Sequence, residues 1–345
     1  DFCYGKFCPV GAPEGAKGPP PKFIFKLLTK LHPEIRRRVK DGALVFEKKL
    51  WREDMQRWDS KYKPDSIARN SRLQNTDIAR LGDAEFLQHL AEVRDNHVEM
   101  IYRHHIFTVP SCFPVGYFLS EVQQWTGLSS GEVLGLLKGA APISRGVAAK
   151  ELEDLRASLR EAGITADVTR GRPAQKVLEE LKGNPHVGNA LAGFLDTVGY
   201  RMVSGYDVAE KYALEMPEML LKTMFEGTAD KANREADFAR RRDALRAKVP
   251  EASRAKFDEL LEEARFVHRL RDERGMYNDL WASGLSRRAL REAGRRLKEN
   301  ATLPDADLAV YASSTELAGL LKGEKSVTPE ELQRRRQWRQ TKTIA

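Results

Sequence analysis

The sequence predicts an all-α protein: a multi-helix domain with long antiparallel helices and few or no strands. Three observations lead there. Apolar residues recur at three- and four-residue spacing through most of the chain, and sustained apolar–polar alternation is absent. Charged residues make up 31% and hydrophobic residues 41%, the mixture required by helices that bury one face and solvate the other. Helix-start chemistry is explicit near the C-terminus, where Ser313-Ser314-Thr315-Glu316 and Thr328-Pro329-Glu330-Glu331 have the form of N-terminal caps.

The elements follow in order. Residues 1–21 are rich in Gly and Pro and read as a linker or wrapping arm. A first helix starts at Lys22 with Phe23, Phe25, Leu27, Leu28 and Leu31, and His32-Pro33 breaks it. Pro33 suits the first turn of the next helix, which extends to about Trp58. Phe86, Leu87, Leu90, Val93, His97, Ile101 and His104 place a helix from about Asp83. Pro110 and Pro114 are expected to open the chain there, ahead of a very apolar segment through Trp125. Short helices are expected at Ser130–Lys138, Ser144–Ala162 and Ala174–Lys182, stopped by glycines. Val187–Val198 is another helix, followed by a non-helical crossing through Ser204 to Asp207. Long, strongly charged helical patterns then run from about Asp230 to Lys248 and from Ala252 to Asn300. The helical region 22–340 reads as one domain, with a possible internal boundary near 200–230.

The bulk numbers restrict function. Net charge is +8, from 58 Lys+Arg against 50 Asp+Glu, with acidic residues interspersed, as on a solvated surface. A phosphate-rich partner is the alternative, but no basic row is joined by exposed aromatics, which argues against nucleic acid. Three cysteines, Cys3, Cys8 and Cys112, fit a reducing compartment, so the expected location is cytoplasmic. No apolar run is long enough to span a bilayer, and no metal ligand cluster is apparent. No Walker-type loop and no nucleotide fingerprint is present. The chain does not begin with Met and reads as a piece of a longer product.

Three groups of residues carry candidate chemistry. His104 and His105 are the side chains best poised to orient or deprotonate a hydroxyl near neutral pH; hydrogen-bonded structural histidines are the alternative. Beside them Phe113, Tyr117 and Trp125 are candidate pocket walls. Arg201 can clamp an anion through two parallel hydrogen bonds or can brace a helix end. Arg265, Arg269, Arg271 and Arg274 form a basic row that faces either a phosphate or the acids Glu262, Asp272 and Glu273.

At the long C-terminal helix a resemblance enters. Leu270-Arg271-Asp272-Glu273-Arg274-Gly275-Met276-Tyr277, the stretch Arg287–Leu297, Leu303-Pro304-Asp305-Ala306-Asp307-Leu308-Ala309-Val310-Tyr311 and Ser314-Thr315-Glu316-Leu317 resemble the phosphoenolpyruvate-utilising phosphotransferases, of the rifampin phosphotransferase and phenylphosphate synthase type. Gly199-Tyr200-Arg201 resembles the Gly-His-Arg turn of that family, with Tyr200 in place of the histidine. Asn75-Thr76-Asp77 through Leu90 resembles its Leu-Ser-Asp-Ala-Glu-Leu helix start. Such enzymes join an ATP-grasp domain, a helical acceptor-binding domain and a mobile phosphohistidine domain, and only the helical part is matched. The resemblance implies that this chain holds a hydroxylated small molecule, a phenolic compound among the candidates, for phosphorylation. It implies no cofactor in this chain, ATP and Mg for the complete enzyme, and ATP-grasp and phosphohistidine domains or subunits as partners. Arg201 and Arg271 would then face the phosphoryl group. The alternative is a non-catalytic helical scaffold or interaction domain.

Overall fold

A computed structural model describes residues 22–139, 146–226 and 231–341. The Gly/Pro-rich arm and the helix start expected at Ser144 lie outside these residues. Helices account for nearly all regular structure; among the described residues no strand forms, and Met202 and Tyr212 make an isolated antiparallel bridge. The all-α expectation therefore holds.

Helix α1 is Lys22–Leu31 and α2 is Pro33–Glu47, with Pro33 in the first turn. Phe23, Leu27 and Leu31 of α1 are exposed rather than part of a core. The second helix stops well before Trp58. Lys49 adopts φ 48°, while its N–H bonds to Phe46 O and that of Leu50 to Val45 O, a left-handed C-terminal cap. The same Lys49 spans to Glu259 (2.7 Å) and Glu263 (3.0 Å), which offsets the cost of a left-handed non-glycine residue. Helix α3 (Trp51–Arg57) then passes through a widened π turn, Trp58–Tyr62, into α4 (Lys63–Asn75).

Helix α5 is Asp83–Ile106, with Glu85 closing its N-terminus on Gly82 N at 3.0 Å. Helix α6 is Thr108–Thr126. Here the structure corrects the sequence reading: the break lies at Phe107 and the prolines do not open the chain. Pro110 sits in the first turn, where a missing N–H costs nothing, and Pro114 is carried inside the continuing helix. Short α7 (Ser130–Leu134) leads to α8 (Ala149–Glu161), α9 (Ala174–Gly183), α10 (Gly188–Val198) and α11 (Pro217–Phe225). Helix α12 is Lys231–Ala247.

The spine of the molecule is α13 (Arg254–Arg274), a π turn at Gly275–Asp279, and α14 (Leu280–Glu299), a single rod. Helix α6 packs on α13, and α5 packs on α14 and on the π turn. Trp51 and Trp58 of the α3 segment donate their indole N–H to Glu263 (2.8 Å) and Glu273 (2.7 Å) on α13. Two glycines let backbone touch the rod: a Cβ on Gly284 would lie 1.7 Å from Tyr200 O, and one on Gly294 1.9 Å from Ala306 O. Helices α15 (Ser314–Leu321) and α16 (Pro329–Thr341) cover the far end, and both begin with the capping chemistry expected from sequence. Helices α8 to α11 enclose a separate aliphatic core around Leu155, Leu178, Leu191 and Leu220.

Candidate functional site

The rod is irregular where its chemistry concentrates. An extra residue per turn at Gly275–Asp279 breaks the backbone ladder and leaves carbonyls for other partners. Met276 O accepts from Arg201 Nε at 3.1 Å and Tyr277 O from Asn70 Nδ2 at 2.9 Å. The widened turn also carries Asn278 and Asp279 into the interior; Asn278 is fully buried.

Buried polar atoms are nearly always paired in folded proteins. Among the described residues, the buried side-chain atoms without a hydrogen-bond partner gather at this turn: His104 Nδ1, Arg201 Nη1, Arg274 Nε, both amide atoms of Asn278, and Asp279 Oδ1. His104 stands at the end of α5 with its Nδ1 2.9 Å from Asp279 Oδ2. The two groups lie close without forming a hydrogen bond, and the ring nitrogen stays unpartnered. Arg274 crosses from the rod to His104 O (3.0 Å) and to Thr108 Oγ1, spanning the break between α5 and α6. Burial lowers the Arg274 pKa from its ordinary value.

A loop brings Tyr206 over His104, the two rings 6.0 Å apart and edge to face. Burial, and then the Asp279 charge, raise the Tyr206 pKa, so its hydroxyl keeps its proton. The loop is pinned at its base by Ala213 N to Arg201 O (3.1 Å) and Leu214 N to Gly199 O (2.9 Å). Buried Arg287 holds its far side, bonding Val208 O (3.0 Å), Ala209 O (3.2 Å) and the Glu215 carboxylate (2.6 Å).

On the other side of Arg274 a cleft of about 550 Å³ opens between α6, α7 and α13. Ser111, Cys112, Val115 and Gly116 supply one wall, Gly131, Leu134, Gly135 and Lys138 another, and His268, Arg271 and Arg274 the third. None of these residues is a carboxylate. Among the described residues no group of His, Cys, Asp and Glu is arranged to hold a metal ion.

The sequence candidates therefore divide. His104 and Arg271 border this region, one at the π turn and one in the cleft. His105 is exposed, its ring 5.5 Å from that of His104. Arg201 is buried, with its guanidinium 4.0 Å over the Trp281 ring, and burial lowers its pKa to about 10. Phe113 and Tyr117 pack on Phe46 at 5.7 and 5.3 Å, on a different face of α6 from the cleft. Trp125 packs against the core shared by α6 and α13, with Lys256 5.9 Å over its ring. In the basic row, Arg265 bonds Leu136 O and Arg269 pairs with Asp59 and Glu273, so these two brace the fold. His97 is held between Ser283 (3.0 Å) and Ser286 (3.1 Å). Sequence reasoning missed Tyr206, Asn278, Asp279 and Lys138. Asn278 and Asp279 had a signal, an Asn-Asp pair inside an otherwise apolar stretch of a helical rod; Tyr206 and Lys138 had none.

No curated protein matches the chain. The family described as the rifampicin phosphotransferase fourth domain matches residues 105–292, from His105 at the end of α5 through most of α14. That span takes in the π turn, the Tyr206 loop and the cleft, and covers more than half of the 345 residues. No helix among the described residues is long and apolar enough to cross a membrane. The chain belongs to the rifampicin phosphotransferase fourth-domain family.

Proposed function

We propose that this chain is the acceptor-binding part of an ATP-dependent phosphotransferase and presents an organic hydroxyl to a phosphohistidine carried on another domain or subunit. The observation that carries this reading is the convergence of His104, Asp279, Tyr206 and Arg274, with unpartnered buried polar atoms, at one irregular turn. A hydroxyl placed there meets a base, a proton donor and a fixed cation. As the acceptor oxygen bonds to phosphorus, the P–N bond to the carrier histidine breaks and the hydroxyl proton passes to His104. Asp279 favours the imidazolium so formed, as an acid behind a catalytic imidazole does. Arg271 faces the phosphoryl oxygens. Arg201 acts from behind the turn by fixing Met276 O, a positioning role. ATP and Mg²⁺ would serve the carrier's own phosphorylation elsewhere in a cytoplasmic enzyme, and no residue of this chain is assigned to hold them. A domain spanning 22–340 is consistent with this role, because bringing both reactants to one scaffold replaces a bimolecular encounter with a local one.

The test uses the complete phosphotransferase. His104→Ala is expected to lower acceptor phosphorylation by about 10²–10⁴-fold, while phosphorylation of the carrier histidine by ATP continues. His105→Ala separates the contribution of its exposed neighbour. Acceptor turnover at the wild-type rate in the double variant would refute the reading.

A further inference from the structure

We infer that the cleft beside the π turn is a binding site for the phosphate group of a small phosphate monoester, gripped by Lys138, Arg271 and Arg274 with His268 beside them. The cleft's lining has three permanent cations, one imidazole and no carboxylate. This is unusual in a chain with 50 acidic residues, where most surface arginines are paired. Another cleft of about 810 Å³, bordered by Arg242, Arg246 and Arg269, includes Asp243, Asp258 and Glu262 among its lining residues.

The cations here are uncommitted. Among the described residues, the Arg271 guanidinium and the Lys138 ammonium have no hydrogen bond and no ion pair, and both side chains are exposed. Arg274 is different and supplies the built element. It is 9% exposed and fixed through one edge to His104 O and Thr108 Oγ1, and its Nε has no partner. The acidic charges that bear on these groups are Asp272 on His268 and Asp279 on Arg274, neither of which lines the cleft. Burial lowers the His268 pKa, so near neutral pH it is an uncharged imidazole, able to donate one hydrogen bond to an oxyanion.

Shape agrees with charge. A Cβ built on Gly116, Gly131 or Gly135 meets nothing within 4 Å, so the space before each of these backbones is open. Val115 and Leu134 add apolar surface. The guanidinium groups match phosphate oxygens in pairs, and the apolar surface gives a small organic body a place that a bare ion would leave unused.

The inference shares Arg271 and Arg274 with the transfer reading and rests on it for the source of the ligand, but it is read at equilibrium without turnover. Inorganic phosphate and phenyl phosphate are titrated calorimetrically into the protein at constant ionic strength. Both are expected to bind, phenyl phosphate more tightly, and neutral phenol is not. Arg271→Ala and Lys138→Ala should each weaken phenyl phosphate by about tenfold. Arg80→Ala removes the same charge from a remote side chain that is 89% exposed and should change nothing. Phosphate should also slow alkylation of Cys112, read on its own peptide. Absence of phosphate binding, an unchanged affinity in the Arg271→Ala/Lys138→Ala double variant, or an equal loss in Arg80→Ala would overturn the proposal. Loss of transfer in His104→Ala with no phosphate binding would leave the acceptor reading standing alone; binding with undiminished transfer in that variant would leave the cleft alone.

Discussion

The lobe formed by α8 to α11 and the centre of the rod solve opposite problems. In the lobe, Leu155, Leu178, Leu191 and Leu220 pack in an apolar core built from helices close in sequence. In the centre, His104, Tyr206, Arg274, Asn278 and Asp279 come from three distant segments and leave polar atoms without partners. Each fully buried Leu or Phe contributes roughly 1.5–3 kcal/mol, whereas each orphaned buried polar group costs about 1–3 kcal/mol. The lobe is therefore optimised for stability and the centre is not, the pattern expected where a site must receive a ligand.

Substitutions can break or sharpen that contrast. The largest effect is expected from Gly284→Ala, whose Cβ would meet Tyr200 O at 1.7 Å. No flexible side chain can yield there, so a loss above about 4 kcal/mol in urea unfolding is expected; a well-folded variant of ordinary stability would mean that the rod can shift. Leu191→Ala in the lobe, at a position with no exposure, should cost about 3 kcal/mol. Asn278→Leu in the centre, equally buried, should change stability by less than about 1 kcal/mol in either direction, because it removes two unpartnered atoms. Its acceptor phosphorylation should nonetheless fall. A loss as large as that of Leu191→Ala would erase the distinction between the two regions.

The smallest effect lies at the rim. Hydrogen bonds from Arg335, and then from Ser313 N, hold the Glu316 pKa down at about 2. A lowered carboxylate pKa stabilises the fold above its unfolded value, and that contribution fades as pH falls toward about 2. Glu316→Gln should thus lower stability by about 0.5–1 kcal/mol at pH 7, and the difference from wild type should vanish in strong acid. A constant difference across pH would assign the effect to packing.

Local signals carried most of the fold. Pro33, Gly163, Ser313 and Thr328 mark helix ends that the structure reproduces within a few residues. The stop at Lys49 was hidden because its left-handed turn is held by Glu259 and Glu263, more than two hundred positions away. Pro110 misled because its position in a first turn depends on a break at Phe107 that no turn residue announces. His104 stood out as a titratable residue beside an apolar segment, but its partners Asp279 and Tyr206 are brought by tertiary packing. The π turn is invisible to periodicity, since Tyr277, Leu280 and Trp281 continue a plausible helical stripe. On α6 a rotation of about 100° per residue separates Cys112, in the cleft, from Phe113, against Phe46.

The glycine contacts on α14 bear on how the molecule can move. At Gly284 and Gly294 the helix touches backbone on two separate segments, with no side chain between to act as a bearing. Such joints resist sliding and rolling, because the smallest rotation drives main chain into main chain. The rod therefore serves as a fixed frame to which the Tyr200 and Ala306 segments are both keyed through main chain.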